Sequence, residues 1–198
     1  MTKTNHIGTV QAFDFPVMNS EAEDFILGAR WANPKVKVSQ AVIGTLTDVG
    51  KARSAAAAEI SAGADIVFSA TDIATLGIIK AAADHPHTYV IGQYYDLHKF
   101  GPSVVLTTVL TGLTEATEKI LELGAQGKLQ SKNYFFGPAQ VGKLAPYYNL
   151  SSQIPQSIQK RIQTISAEVR SGKLKVPFIG KHGAGATYPL TKLPGTPA

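Results

Sequence analysis

The chain has 198 residues, 44% of them hydrophobic and 17% charged, the balance of an ordinary soluble globular protein of one or two domains. Its net charge of +5 is scattered rather than gathered into a basic stripe with interleaved aromatics, so no nucleic-acid partner is expected. With no cysteine, disulfides, zinc-thiolate sites and cysteine nucleophiles are excluded.

Five apolar runs come in order: Ile7–Ala12, Val36–Ile43, Ala64–Ser69, Thr88–Gly92 and Val104–Val109. The stretches between them have helical periodicity. After the first run, Ser20-Glu-Ala-Glu23 reads as a capping box that opens a helix, with Ala22, Phe25, Ile26 and Ala29 as its buried stripe. Asn33-Pro34 ends it. Asp48 is placed to cap a second helix that runs to Gly63, and Asp72 a third, which His85-Pro-His87 breaks. Strands alternating with helices in this way predict an α/β fold, a parallel sheet covered by helices on both faces.

Beyond Val109 the pattern changes. Leu113, Ala116, Ile120 and Leu123 predict a fourth helix, and Tyr134-Phe-Phe136 a short aromatic strand closed by Gly137-Pro138. Pro155 opens a last helix ending at Gly172, and the tail from Gly180 reads as irregular. The expected organisation is thus an α/β lobe over 5–109, a hinge or crossover segment with its helix, strand and C-terminal helix over 110–179, and a tail over 180–198. No run approaches the ~20 apolar residues needed to span a bilayer. The first residues lack the apolar core of a signal peptide, so the chain as written reads as cytoplasmic.

In open parallel sheets, ligands bind outside the carboxyl ends of the strands. Those ends carry Asp14, Leu46, Thr71, Asp72, Tyr94, Tyr95, Asp96 and Thr111, which are the candidate ligand-binding residues. Each of Asp14, Asp48, Asp72 and Asp96 is by itself more often a helix cap than a contact, but four at consecutive strand ends point to a small-molecule cleft. Tyr94-Tyr95 offers flat faces on which a planar heterocycle can stack. Catalytic motifs are absent. Gly44-Thr-Leu-Thr-Asp-Val-Gly50-Lys51 has five residues between its glycines where a phosphate loop needs four, and Ala52 stands where a hydroxyl would hold Mg²⁺. His85 and His87 could share a metal but lack a third ligand nearby, and no Gly-x-Ser-x-Gly elbow occurs. Neither a cofactor nor a metal is assigned.

The ordered series Ile7-Gly-Thr-Val-Gln-Ala-Phe-Asp-Phe-Pro16, Gly44-Thr-Leu-Thr-Asp48 with Lys51-Ala52, Gly63-Ala-Asp-Ile-Val-Phe68, Ile91-Gly92 with Asp96, Phe100-Gly-Pro102 and Gly172-Lys-Leu-Lys-Val-Pro177 resembles the second lobe of the basic membrane protein family. The resemblance covers roughly 6–180. It implies a type I periplasmic-binding fold and non-catalytic binding of a purine base or nucleoside, as all or part of an ABC-transporter substrate-binding protein, with a permease as partner if full-length. It also implies a periplasmic or membrane-anchored setting, against which the missing leader is a departure.

Three further departures concern the site. Leu46 stands where the family commonly stacks an aromatic, Tyr94 where it has the ribose-binding aspartate, and Thr111 where it has a lysine. These losses favour a flat base over a ribose-anchored nucleoside. A lone lobe is expected to form a homo-oligomer that covers its bare side. The alternatives are a truncated or cytosolic ligand-sensing or structural relic without a transport role, and, third, an enzyme on the same architecture.

Overall fold

The computed structural model describes residues 2–137 and 139–184. Six strands form one sheet: β1 His6–Gln11, β2 Lys37–Val42, β3 Ile66–Ala70, β4 Tyr89–Tyr94, β5 Val105–Leu110 and β6 Lys143–Leu144. Their order is β2-β1-β3-β4-β5-β6, with the first five parallel and β6 antiparallel to β5. The helices are α1 Pro16–Ala32, α2 Val49–Ser61, α3 Thr75–Ala83, α4 Leu113–Ala125 and α5 Gln156–Arg170. The expected α/β fold, a parallel sheet flanked by helices, is borne out, with strand ends shifted by one or two residues and β6 added antiparallel at the edge.

Alternation along the strands divides the core between the two faces. Val10, Val67, Val90 and Val105 meet Ala52 and Ala56 of α2 and Ile78, Ile79 and Ala82 of α3. Ile7, Ile66 and Ile91 point the other way, toward Phe25 and Ala29 of α1, and the Phe25 ring stacks on Phe68 at 4.5 Å. Leu27 and Trp31, farther along α1, pack with Leu174 and Ile179, so the chain after α5 returns to the α1 face. Helix α4 has no buried residue; Leu113 is 69% exposed and Leu121 66%.

Three local expectations are corrected. Helix α1 starts earlier than the capping box, at Pro16 with Phe15 as N-cap; Pro16 is set for the first helical position, and Ser20 donates instead to the Val17 carbonyl within the helix. Asp72 caps no helix. It opens a short 3₁₀ turn over Asp72–Ala74 from a left-handed backbone, φ +54°, without a side-chain capping bond. Tyr134–Phe136 is not a strand: Phe135 is 87% exposed, and the added sheet partner is β6. The Asp48 cap is present, its Oδ1 accepting from the Lys51 amide at 2.9 Å, and Gly63 ends that helix turn at φ +104°. Most of the predicted irregular tail, 185–198, lies outside the described residues.

Asp24 on α1 gives the fold a pH dependence. Burial, and then the neighbouring Glu23 carboxylate, pushes its carboxyl up to about 7, and its Oδ1 is buried without a partner among the described residues. A folded-state value above the ordinary 3.8 means that the folded protein holds this proton more tightly than the unfolded chain. The stability from this group is therefore fully present below that ordinary value and is lost as pH rises through about 7. Partial exposure discounts the effect to on the order of 1 kcal/mol. Asp24→Asn is expected to raise the melting temperature at pH 8 by about 2–4 °C, a gain that disappears toward pH 4. Equal gains at both pH values would refute the assignment.

Candidate functional site

In the order β2-β1-β3-β4-β5 the chain turns left from β1 to β2 and then crosses to β3, so the crevice between the carboxyl ends of β1 and β3 is the topological switch point. Gln11 and Ala70 are paired at that edge. The rim is built from Phe13, Asp14 and Phe15 after β1, Thr71 and Asp72 after β3, and Tyr94 through Asp96 at the end of β4. Phe13 (36%), Phe15 (42%) and Tyr95 (42%) are large and exposed there. Phe13 and Phe15 stack at 6.0 Å, and Tyr95 meets Phe100 edge-on at 6.4 Å.

The structure brings Tyr94 and Asp72 together and adds two residues that the sequence reading missed, Glu21 and Gln93. Tyr94 has φ +77°, an unusual backbone for a bulky residue. That left-handed turn lets the consecutive residues Gln93 and Tyr94 both reach α1. The Tyr94 hydroxyl lies 3.0 and 3.1 Å from the two carboxylate oxygens of Glu21, to which it donates. Burial, then the Glu21 charge and, more weakly, that of Asp72, hold the phenol above its ordinary pKa. Burial likewise raises Glu21, against the lowering by Tyr94 and Gln93. The raised phenol keeps its proton and donates it to the carboxylate. Neither Glu21 nor Asp72 has an ion-pair partner among the described residues.

The remaining candidates are dispersed in role. Asp14 is exposed and accepts from Asn19 Nδ2 at 2.8 Å; Asn19 in turn accepts from Gln11 at 2.8 Å and donates to the Gly180 carbonyl at 3.2 Å. Leu46 is half-buried, and its carbonyl accepts from the Ala74 amide at 2.9 Å, joining two rim loops. Thr71 is fully buried in a ring of hydroxyls with Ser69 (3.0 Å) and Thr75 (3.1 Å). Asp96 accepts from the His98 amide at 3.0 Å and from the Tyr148 hydroxyl, while the His98 and Tyr148 rings stack at 4.0 Å. That carboxylate therefore organises the loop after β4. Thr111 has a buried hydroxyl oxygen without a partner among the described residues.

Two hollows adjoin the rim. Tyr94, Tyr95, Gly112, Leu113, Glu115 and Lys143 surround one of ≈ 380 Å³. A larger apolar groove of ≈ 560 Å³ runs between β5 and α5, lined by Val109, Phe136, Leu144, Ile165 and Val169 among others. It lies along the sheet edge, away from the switch point, so the chemistry-bearing rim is the better candidate.

A family model, "ABC transporter substrate-binding protein PnrA-like", matches residues 1–175. The chain belongs to this family. Basic membrane protein D of Borreliella burgdorferi (strain JD1) is 30% identical over 183 residues, covering 89% of this chain and 53% of that protein. A purine-binding protein of Brucella abortus (strain 2308) is 29% identical over 181 residues, 91% of this chain and 49% of its own length. The chain thus spans about half the length of the curated relatives it matches. Among solved structures, a transcriptional activator of the comK gene from Bacillus halodurans superposes with TM-score 0.77 at 24% identity, over 89% of this chain and 60% of that one. An ABC transporter solute-binding protein from Conexibacter woesei gives 0.71 at 20%, over 89% and 58%. These likenesses show the periplasmic-binding-protein-like fold. Among the described residues no helix is long and apolar enough to cross a membrane.

Proposed function

We propose that this PnrA-like chain binds a small planar ligand, a purine base or nucleoside, without chemical turnover, as all or part of the substrate-binding component of an ABC transporter that delivers to a permease. The observation that carries this reading is the placement of Tyr94 and Asp72, both in left-handed backbone conformations, at the carboxyl edge beside the switch point. Non-glycine residues held in such conformations gather at functional sites, because something must repay their strain. The Brucella relative, named a purine-binding protein, points to the same ligand class. Asp14, Leu46, Thr71, Tyr95, Asp96 and Thr111 complete the proposed rim.

The test centres on Asp72, whose carboxylate makes no hydrogen bond or ion pair among the described residues. Asp72→Asn keeps a residue that tolerates positive φ and removes the charge. A lost hydrogen bond to a charged group corresponds to roughly a ten- to hundred-fold weaker affinity. Calorimetry with adenine and guanosine should show that loss while the melting temperature stays nearly constant. Unchanged affinity removes Asp72 from the site, and absence of binding by the wild type at millimolar ligand ends the proposal.

One lobe covers only one face of a flat ligand, whereas ligand pockets commonly bury most of the molecule. The homo-oligomer expected above would supply the second wall, with the bare face of α4 (Leu113, Leu121) and Phe135 as the apolar surface to cover. Sedimentation is expected to show a dimer or larger species at micromolar concentration that Leu121→Glu weakens. A wild-type monomer would rule this out.

A further inference from the structure

The purine reading leaves unstated which edge of the heterocycle enters the site, and the α1 face of the sheet supplies an answer. Gln93 is only 6% exposed, and its Nε2 lies close enough to the Glu21 carboxylate to lower that group's pKa yet makes no hydrogen bond of ordinary geometry among the described residues. A buried donor left unpaired costs about 1–3 kcal/mol, so a native site that keeps one is built to have it satisfied by something else. Its amide lies against both the Glu21 carboxylate and the Tyr94 hydroxyl. Glu21 presents two oxygens to that space and receives one proton, from Tyr94, which leaves at least one oxygen and several lone pairs to accept. The other charge that acts on Tyr94 is also negative, Asp72.

We infer that Glu21 and Gln93 are specificity-determining residues, reading a ligand edge that presents one acceptor beside two adjacent N–H donors. The acceptor takes the Gln93 Nε2 proton, and the donors pair with the Glu21 carboxylate. Among purines this is the guanine edge, with its ring carbonyl, ring N–H and exocyclic amine. Hypoxanthine keeps the carbonyl and the ring N–H but lacks the amine. Adenine turns a ring-nitrogen lone pair toward a position where the carboxylate needs a donor, and two acceptors facing each other repel. Tyr94 acts as a placeholder, its hydroxyl holding the carboxylate in position when no ligand donor is there. Because Gln93 ends the regular part of β4 and Glu21 lies on the second turn of α1, both groups are fixed by rigid elements rather than by a loop.

This inference rests on the purine reading, and the experiment separates the two. Wild type, Glu21→Gln, Gln93→Met and Asp72→Asn would be titrated by calorimetry with 9-ethylguanine, 9-ethylhypoxanthine and 9-ethyladenine, which lack ribose. The wild type should bind the guanine derivative tightest and the adenine derivative weakest. Glu21→Gln can still accept from Tyr94 through its carbonyl but offers an amide NH2 donor where an acceptor is needed. It should weaken the guanine derivative by roughly ten- to a hundred-fold and abolish its advantage over hypoxanthine. Gln93→Met should weaken both carbonyl-bearing derivatives and spare the adenine derivative. Equal wild-type affinities, or a Glu21→Gln variant with an unchanged ranking, overturn the inference, and a continued loss in Asp72→Asn then leaves the purine reading standing. Failure of the wild type to bind any of the three overturns both.

Discussion

Gly77→Ala is expected to destabilise the protein by about 3 kcal/mol or more, although helix propensity alone would favour alanine by ~1 kcal/mol. Gly77 is buried within α3, and a Cβ there would stand 2.0 Å from the Val49 carbonyl oxygen and 2.8 Å from the Arg53 amide nitrogen. Both are backbone atoms of the first five residues of α2, so no side chain can swing aside; the two helices must separate. That separation would open the Ala52, Ala56 and Ile78 packing beneath them. It would also part the rim loops, because the Leu46 carbonyl and the Ala74 amide are joined across the same junction. At about 2–4 °C per kcal/mol for a chain of this size, the melting temperature should fall by roughly 6–12 °C. An unchanged or higher melting temperature would mean that α2 and α3 do not meet backbone to backbone at Gly77.

The sheet was legible because its signal is redundant. Each strand is an apolar run of the right length, each is followed by a helical stripe, and a parallel sheet buried on both faces needs both. The Asp48 cap and the Gly63 terminus were legible for the same local reason: one side chain, or one missing one, satisfies a backbone need within three or four residues. Errors arose where two local signals competed. Ser20-Glu-Ala-Glu23 has the spacing of a capping box, but Pro16 had already fixed a helical φ four residues earlier. Tyr134-Phe-Phe136 has high strand propensity, yet a strand exists only where a neighbour accepts its hydrogen bonds, and the free edge of β5 is taken by Lys143–Leu144.

At the proposed site, the sequence names residues that follow the strands but not the partnership across them. The carboxyl-end rule finds residues that lie on loops after strands, which is how Asp14, Asp72 and Tyr94 were found. Glu21 lies within a helix, 73 residues from Tyr94, and no local pattern in the sequence marks it as a rim residue. Gln93 ends a strand whose alternation places it inward, where a glutamine passes for a filler. Only the left-handed turn at Tyr94, invisible in the residue type, brings these groups together. A polar residue at an inward strand position next to the rim was the one available clue, and Gln11 at the end of β1 carries the same mark.

Leu97→Ala is expected to cost about 2–5 kcal/mol and to loosen the loop that presents Tyr94 and Tyr95. Leu97 is 1% exposed although it lies in the connection after β4, and its side chain belongs to the same core as Val90, Ile79 and Val105. It can descend that far because Gly92 has no side chain: a Cβ on Gly92 would lie 2.2 Å from Leu97 Cδ1. Its amide also donates to Thr108 Oγ1 at 3.3 Å, so the loop is tied to β5 as well as anchored in the core. Truncation removes the anchor and leaves a cavity beside α3, and the tie alone has to hold the positive φ of Tyr94 in place. The loss should therefore appear in two readouts, a lower unfolding free energy in urea and a weaker affinity for the proposed ligand at a temperature where the variant is still folded. A variant that loses stability but binds as the wild type does would show that the rim is positioned by α1 through Glu21 and Tyr94, without help from the Leu97 anchor.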